Sequence, residues 1–97
     1  MSDHLKEWTK IYKAFANEYR LRILRLLLLN KELQVKEMAS RIHLSAKATS
    51  KHLIILSTIG FLENYGKKGG VWYRLHPQLR REVRYMIKHY LVEDEES

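Results

Sequence analysis

The stretch Ser45-Ala46-Lys47-Ala48-Thr49-Ser50-Lys51-His52-Leu53 holds hydroxyls and cations at spacings that matter if it is helical. Ser45 is placed to cap a helix from Ala46 to about Thr58. With Ala46 at 0° and about 100° per residue, Thr49, His52, Leu53 and Leu56 fall in one arc and should pack inward. Ala46, Lys47, Ser50, Lys51 and Ile54 fall in the opposite arc. That outer surface is small at its start, hydroxylated in the middle and basic on one side. It suits entry into a DNA major groove, with Ser50 and Lys51 in reach of base edges and Ser45, Ala46 and Lys47 near the backbone. Gly66-Lys67-Lys68-Gly69-Gly70 adds two adjacent cations on a glycine-rich tip, and Arg74 follows. Such a tip suits a neighbouring groove or its phosphates. Lys36 and Arg41, just upstream of Ser45, extend the basic surface.

Net charge agrees with this chemistry. The chain has 18 basic and 11 acidic residues for a net +7, and four of the acids lie together at Glu93, Asp94, Glu95 and Glu96. The rest of the chain is therefore more basic than the total shows, and a compact basic body attracts polyanions. No cysteine is present. That excludes disulfides, thiolate metal sites, thiol redox sensing and cysteine nucleophiles. No Ser/His/Asp set, phosphate loop or paired acids point to catalysis, so the expectation is a protein that is not an enzyme and needs no cofactor. His76, Glu82, His89 and Glu93 are spaced too incompletely for a metal site to be expected. No apolar run is longer than the four residues of Leu26-Leu27-Leu28-Leu29, which is too short to cross a membrane. The polar start of the chain has no signal-peptide character. A cytoplasmic protein is expected.

The elements that position these residues follow from periodicity. Leu5, Trp8, Ile11 or Tyr12, and Phe15 recur at helical steps. Asn17 can cap a second helix that carries Ile23, Leu24, Leu26, Leu27 and Leu28 and runs to about Asn30, with Arg20, Arg22 and Arg25 as a basic rim. Val35, Met38, Ala39 and Ile42 face inward from a short third helix, and His43-Leu44 joins it to the helix that Ser45 opens. After Gly60, Phe61–Tyr65 and Val71–Leu75 read as strands around a five-residue loop, 66–70. Pro77 suits the first turn of a last helix, in which Leu79, Val83, Met86 or Ile87, and Tyr90 form an apolar stripe. The class is mainly α with a small β-hairpin: four helices, a wing and a C-terminal helix, a winged helix-turn-helix. One domain over residues 1–92 is expected, with 93–97 as an acidic tail. Apolar stripes at both ends exceed what one small core needs. Leu5, Trp8, Tyr12, Leu79, Val83, Ile87 and Tyr90 are therefore the expected interface of a homodimer.

Three segments resemble one family. Ala16–Leu27 is similar to the A-x-x-x-R-x-x-I-L-x-x-L second-helix pattern of the arsenic-repressor (ArsR-type) regulators. Leu44–Leu53 resembles their recognition helix, L-S-x-x-x-x-S-x-H-L, and Gly70–Leu75 resembles the closing strand of their wing. The resemblance implies a homodimer held by the first and last helices and repression of a double-stranded DNA operator. Three departures stand out. Metal-sensing members carry a cysteine pair before the third helix, where this chain has Leu33-Gln34-Val35-Lys36-Glu37. A glycine is usual where His43 stands, a place that often needs positive φ. Ile54 replaces the usual basic residue of the outer arc. A protein–protein scaffold of the same fold is the alternative function, and the lysines of helix and wing favour DNA.

Overall fold

The computed structural model describes residues 2–67 and 69–92. Lys68 and the acidic tail 93–97 lie outside the described residues. The first helix, α1, spans Ser2–Phe15 and the second, α2, Glu18–Leu29. The Asn17 side chain accepts a hydrogen bond from the Arg20 backbone N–H at 3.1 Å, satisfying one of the unpaired donors of the first turn of α2. Ile23 and Leu24 of α2 are fully buried, with Leu27 nearly so, which makes this helix the centre of the core. Asn30 ends it, and its side-chain amide donates to the Leu26 carbonyl at 2.9 Å.

Helices α3 (Val35–Ile42) and α4 (Ala46–Thr58) form the helix-turn-helix. Met38, Ala39 and Ile42 anchor α3, and Thr49, Leu53 and Leu56 anchor α4. The two helices end in the same way. At the end of α3 the Leu44 N–H reaches the Ala39 carbonyl at 3.0 Å and the His43 N–H reaches Ser40 at 3.3 Å. At the end of α4 the Phe61 N–H reaches Leu56 at 2.9 Å and the Gly60 N–H reaches Ser57 at 3.0 Å. This doubled return of backbone bonds needs a left-handed residue just past the helix. Gly60 supplies it at φ 84°, and His43 supplies it at φ 58°.

A three-stranded antiparallel sheet follows, in the order β1–β3–β2, from β1 (Leu33–Gln34), β2 (Leu62–Lys67) and β3 (Gly70–Leu75). Strand β1, which two residues are too few to signal by periodicity, pairs Leu33 with Tyr73 and Gln34 with Trp72. Leu62, Tyr73 and Leu75 turn one face of the sheet into the core. The strands pair as far as Lys67 opposite Gly70. The connection is thus 68–69, shorter than the expected loop over 66–70.

The last helix also differs from expectation. Pro77 lies in a turn, with the Leu79 N–H donating to the His76 carbonyl at 3.0 Å. Helix α5 begins only at Arg81, runs to Met86 and continues as a π-helical segment, Ile87–Val92. The π-helical part packs back across α2. No helix among the described residues is long and apolar enough to cross a membrane.

His43 holds its conformation against the steric cost that any side chain carries at positive φ. His43→Gly should therefore stabilise the fold by about 0.5 to 1 kcal/mol, read as an upward shift of the urea midpoint. An unchanged or lower midpoint would show that the His43 side chain contributes more than its backbone strain costs.

Candidate nucleic-acid interface

Helix α4 is held from one side and open on the other. Thr49, Leu53 and Leu56 have no solvent exposure, and the Thr49 hydroxyl returns to the Ser45 carbonyl at 2.8 Å. The Ser45 Oγ accepts from the Ala48 N–H at 3.1 Å, so this side chain serves as the helix cap. Ala46, Lys47 and Lys51 are exposed and Ser50 is half-buried beside them. The expected inner and outer arcs are those of the structure, with His52 at the boundary, half-buried.

Lys36, at the start of α3, lines a shallow hollow of about 270 Å³ together with Gln34, Val35, Ala46, Gly69 and Val71. This hollow puts the start of α3, the start of α4 and the wing on one side of the molecule. Gln34, which neither charge nor periodicity marks, fixes the junction: its amide donates to the Gly69 carbonyl. A Cβ on Gly70, at φ 131°, would come within 3.0 Å of the same amide, so only glycine fits there without displacing it. The wing is thereby tied to the helix-turn-helix near its tip, although Lys68 and the Lys67 side chain are outside the described structure.

Two of the basic residues are engaged. Arg41 is exposed and donates to Glu37 at 3.0 Å, an i,i+4 surface pair of small energy that a phosphate can displace. Arg74 is engaged on more sides. It is ion-paired with Glu63, its partner across the hairpin, and lies 5.3 Å from the Tyr65 ring centroid. It lines a second hollow with Leu27, Lys31, Pro77 and Arg84, none of which belongs to the hollow beside Lys36 and Ala46. Charge alone could not show that β3 alternation and the facing Glu63 hold this guanidinium there.

The expected dimer residues divide. Leu5, Tyr12 and Tyr90 are 68%, 60% and 62% exposed, and Trp8 is half-buried against Tyr12 and under the Arg80 guanidinium. Leu79, Val83 and Ile87 are instead buried within the chain's own core. Their spacing marks an apolar face but cannot say which surface covers it, and here the chain itself does so. Tyr85, 55% exposed, lies off that stripe and resembles Leu5, Tyr12 and Tyr90 in its exposure. Arg80 also bonds Glu7, which joins the start of the last helix to α1. Leu5, Trp8, Tyr12, Tyr85 and Tyr90 thus form the outward apolar set of these two elements.

His76 and His89 have local partners: Nδ1 of His76 accepts from the Gln78 N–H at 3.0 Å, and His89 lies against the Tyr85 ring. Glu93 is outside the described residues. Among the described residues no group of three or more His, Asp or Glu is placed to hold a metal ion.

Residues 17–64, from the cap of α2 to the first strand of the wing, match the profile of the bacterial regulatory protein, arsR family. The transcriptional activator HlyU of Vibrio cholerae is 41% identical over 78 residues, which cover 80% of this chain and 68% of that protein. The chain belongs to the ArsR family. The arsenic resistance transcriptional regulator ArsR1 of Pseudomonas putida is 35% identical over 78 residues, 80% of this chain and 61% of that protein. The chain therefore spans less than two thirds of the length of ArsR1. The solved structure of Vibrio cholerae HlyU superposes with a TM-score of 0.78 at 38% identity, covering 92% of each chain. A homodimeric winged helix-turn-helix DNA-binding domain from Mycobacterium bovis superposes at 0.80 with 25% identity, covering 98% of this chain and 84% of that one.

In this ArsR-family chain the second-helix arginine, Arg20, is more than part of a basic rim. Its Nε donates to the Ala14 carbonyl at 2.9 Å and Nη2 to the Lys13 carbonyl at 3.0 Å, both at the end of α1. Nη1 lies 3.3 Å from Nδ1 of His52 on α4. A guanidinium only donates, so Nδ1 must accept and the ring is neutral with its proton on Nε2. Burial first, and then the Arg20 charge, push the His52 pKa below its ordinary 6.5. Above pH 6.5 both folded and unfolded chains carry neutral His52 and its full contribution to stability is present. As pH falls below that value the unfolded chain takes up the proton first, so stability declines until the folded pKa is passed. The urea midpoint should therefore fall between about pH 7.5 and about pH 5.5, and fall less in His52→Gln, which keeps an acceptor but does not titrate. Equal declines in the two proteins would contradict this placement of His52.

Proposed function

We propose that the chain is a homodimeric, sequence-specific regulator of transcription that binds double-stranded DNA and works as a repressor. The observation that carries this reading is the two-sided character of α4. One face is locked into the core by Thr49, Leu53 and Leu56, and the other presents Ala46, Lys47, Ser50 and Lys51 beside the start of α3 and the wing. A rigid helix with a small, polar and basic outer face can hold side chains in register against base edges. The wing carries Lys67 and Lys68 in sequence next to three glycines, which fits phosphate contact better than fixed base geometry. Lys36 and Arg41 serve the backbone in the same way.

Pairing of two chains through Leu5, Trp8, Tyr12, Tyr85 and Tyr90 covers the exposed apolar side chains of α1 and the last helix. It also sets two α4 helices at a fixed spacing, as a two-fold operator requires. The Mycobacterium bovis neighbour, a homodimer, supports this part of the reading. Relatives act in both directions: HlyU is an activator, and a solved neighbour of 26% identity is the antimony-specific repressor AntR. Repression needs only that the bound dimer occlude a promoter, and the expected cytoplasmic location suits that task.

The division of roles is testable on a site selected from a random duplex pool. Ser50→Ala and Lys51→Ala should each cost roughly 1–3 kcal/mol on that site and much less on random duplex. Changing Lys67 and Lys68 together to alanine should weaken both duplexes by similar factors. It should also flatten the salt dependence by about 0.9 units of slope for each phosphate no longer neutralised. The reading fails if the wing change alters sequence preference while the helix changes weaken every sequence alike.

A further inference from the structure

Ile54 is 59% exposed on α4, and folding does not account for it. Its neighbours Leu53 and Leu56 are fully buried and complete the contact with the core. At an exposed helical position a β-branched residue is a weaker helix former than lysine, and it leaves apolar surface in water. Its place is specific. Ile54 lies one turn beyond Ser50, three residues from Lys51 and two turns from Lys47, in the middle of the outer arc. Ile55 is 42% exposed but lies about 100° further round, outside that arc. A second copy of the chain seated over Ile54 would bury Lys47 and Lys51, which have no ion-pair partner among the described residues, against like charges.

The apolar group that DNA offers on this side is the C5-methyl of thymine, which stands in the major groove among hydrogen-bonding base edges. We infer that Ile54 reads a thymine methyl, so that each half-site carries a thymine at one fixed position next to those contacted by Ser50 and Lys51. The inference rests on the DNA-binding reading above. An isoleucine cannot replace the water removed from a cytosine amino group or a guanine carbonyl, whereas against thymine it covers a methyl. Discrimination therefore comes as much from rejecting the other bases as from attraction.

The test replaces each thymine of the selected duplex in turn by deoxyuridine, which keeps every hydrogen-bonding group and removes only the methyl. One position per half-site should weaken binding about fourfold, the ratio that goes with one buried methyl group. In Ile54→Ala, whose exposed position leaves folding intact by circular dichroism, the same replacement should change nothing. Ile54→Lys should raise affinity for random duplex and steepen the salt dependence while abolishing the thymine preference. Uracil tolerated everywhere by the unaltered protein, or an equal weakening in Ile54→Ala, overturns the inference and leaves DNA binding standing. Absence of any sequence preference in the unaltered protein overturns the DNA-reading assignment, and this inference with it.

Discussion

One guanidinium meets three helices in this fold. Arg20 leaves the first turn of α2, caps two carbonyls at the end of α1 and donates to His52 in the middle of α4. The last carbonyls of a helix lack partners within it, and hydrogen bonds to a charged donor are stronger than neutral ones. A planar fork can serve both helices at once, which a lysine ammonium would do with less geometric definition. The Tyr19 ring stacks against His52 from the same turn of α2, with centroids 6.0 Å apart. The open face of α4 is therefore referenced to α2 on one edge by Arg20 and Tyr19, and underneath by Thr49, Leu53 and Leu56. Any reading of DNA by Ser50, Lys51 or Ile54 depends on that reference, because a side chain reports a base only if its backbone keeps one register.

The wing depends on a second tie of a different kind. Gln34 is in β1, immediately before α3, and its amide holds the Gly69 carbonyl near the hairpin tip. The helix-turn-helix and the wing are thus joined through the short segment Leu33–Val35, in addition to the packing of β2 on α4. Glycine at position 70 keeps the approach open. The outer flank of the hairpin is stiffened by the Glu63–Arg74 pair and the Tyr65 ring.

Much of this was legible in the sequence because it is local. Asn17 and Ser45 cap the helices they precede, His43 takes the left-handed backbone at a place where glycine is usual, and the two arcs of α4 follow from the helical period alone. What was not legible is mostly a matter of partners. Leu79, Val83 and Ile87 have the spacing of an interface stripe, yet the surface that covers them belongs to the chain's own core. Arg74 reads as a free cation until Glu63 is known to face it. Arg20 reads as a rim residue because its acceptors, two carbonyls and a ring nitrogen, leave no trace in side-chain type. The wing strands run into the glycines because cross-strand pairing continues through Gly66 opposite Val71, and glycine accepts an extended backbone as readily as a turn.

The central claim is that α4, the start of α3 and the wing form one DNA-reading surface. Backbone amide chemical-shift mapping during titration with a selected duplex tests it most directly. Shifts should concentrate at Lys36, Ser45 to Ile54 and the residues flanking the wing tip, with the buried segment Ile23 to Leu27 of α2 little changed. Shifts centred on Tyr85 and Tyr90, or none on α4 at saturating duplex, would contradict it.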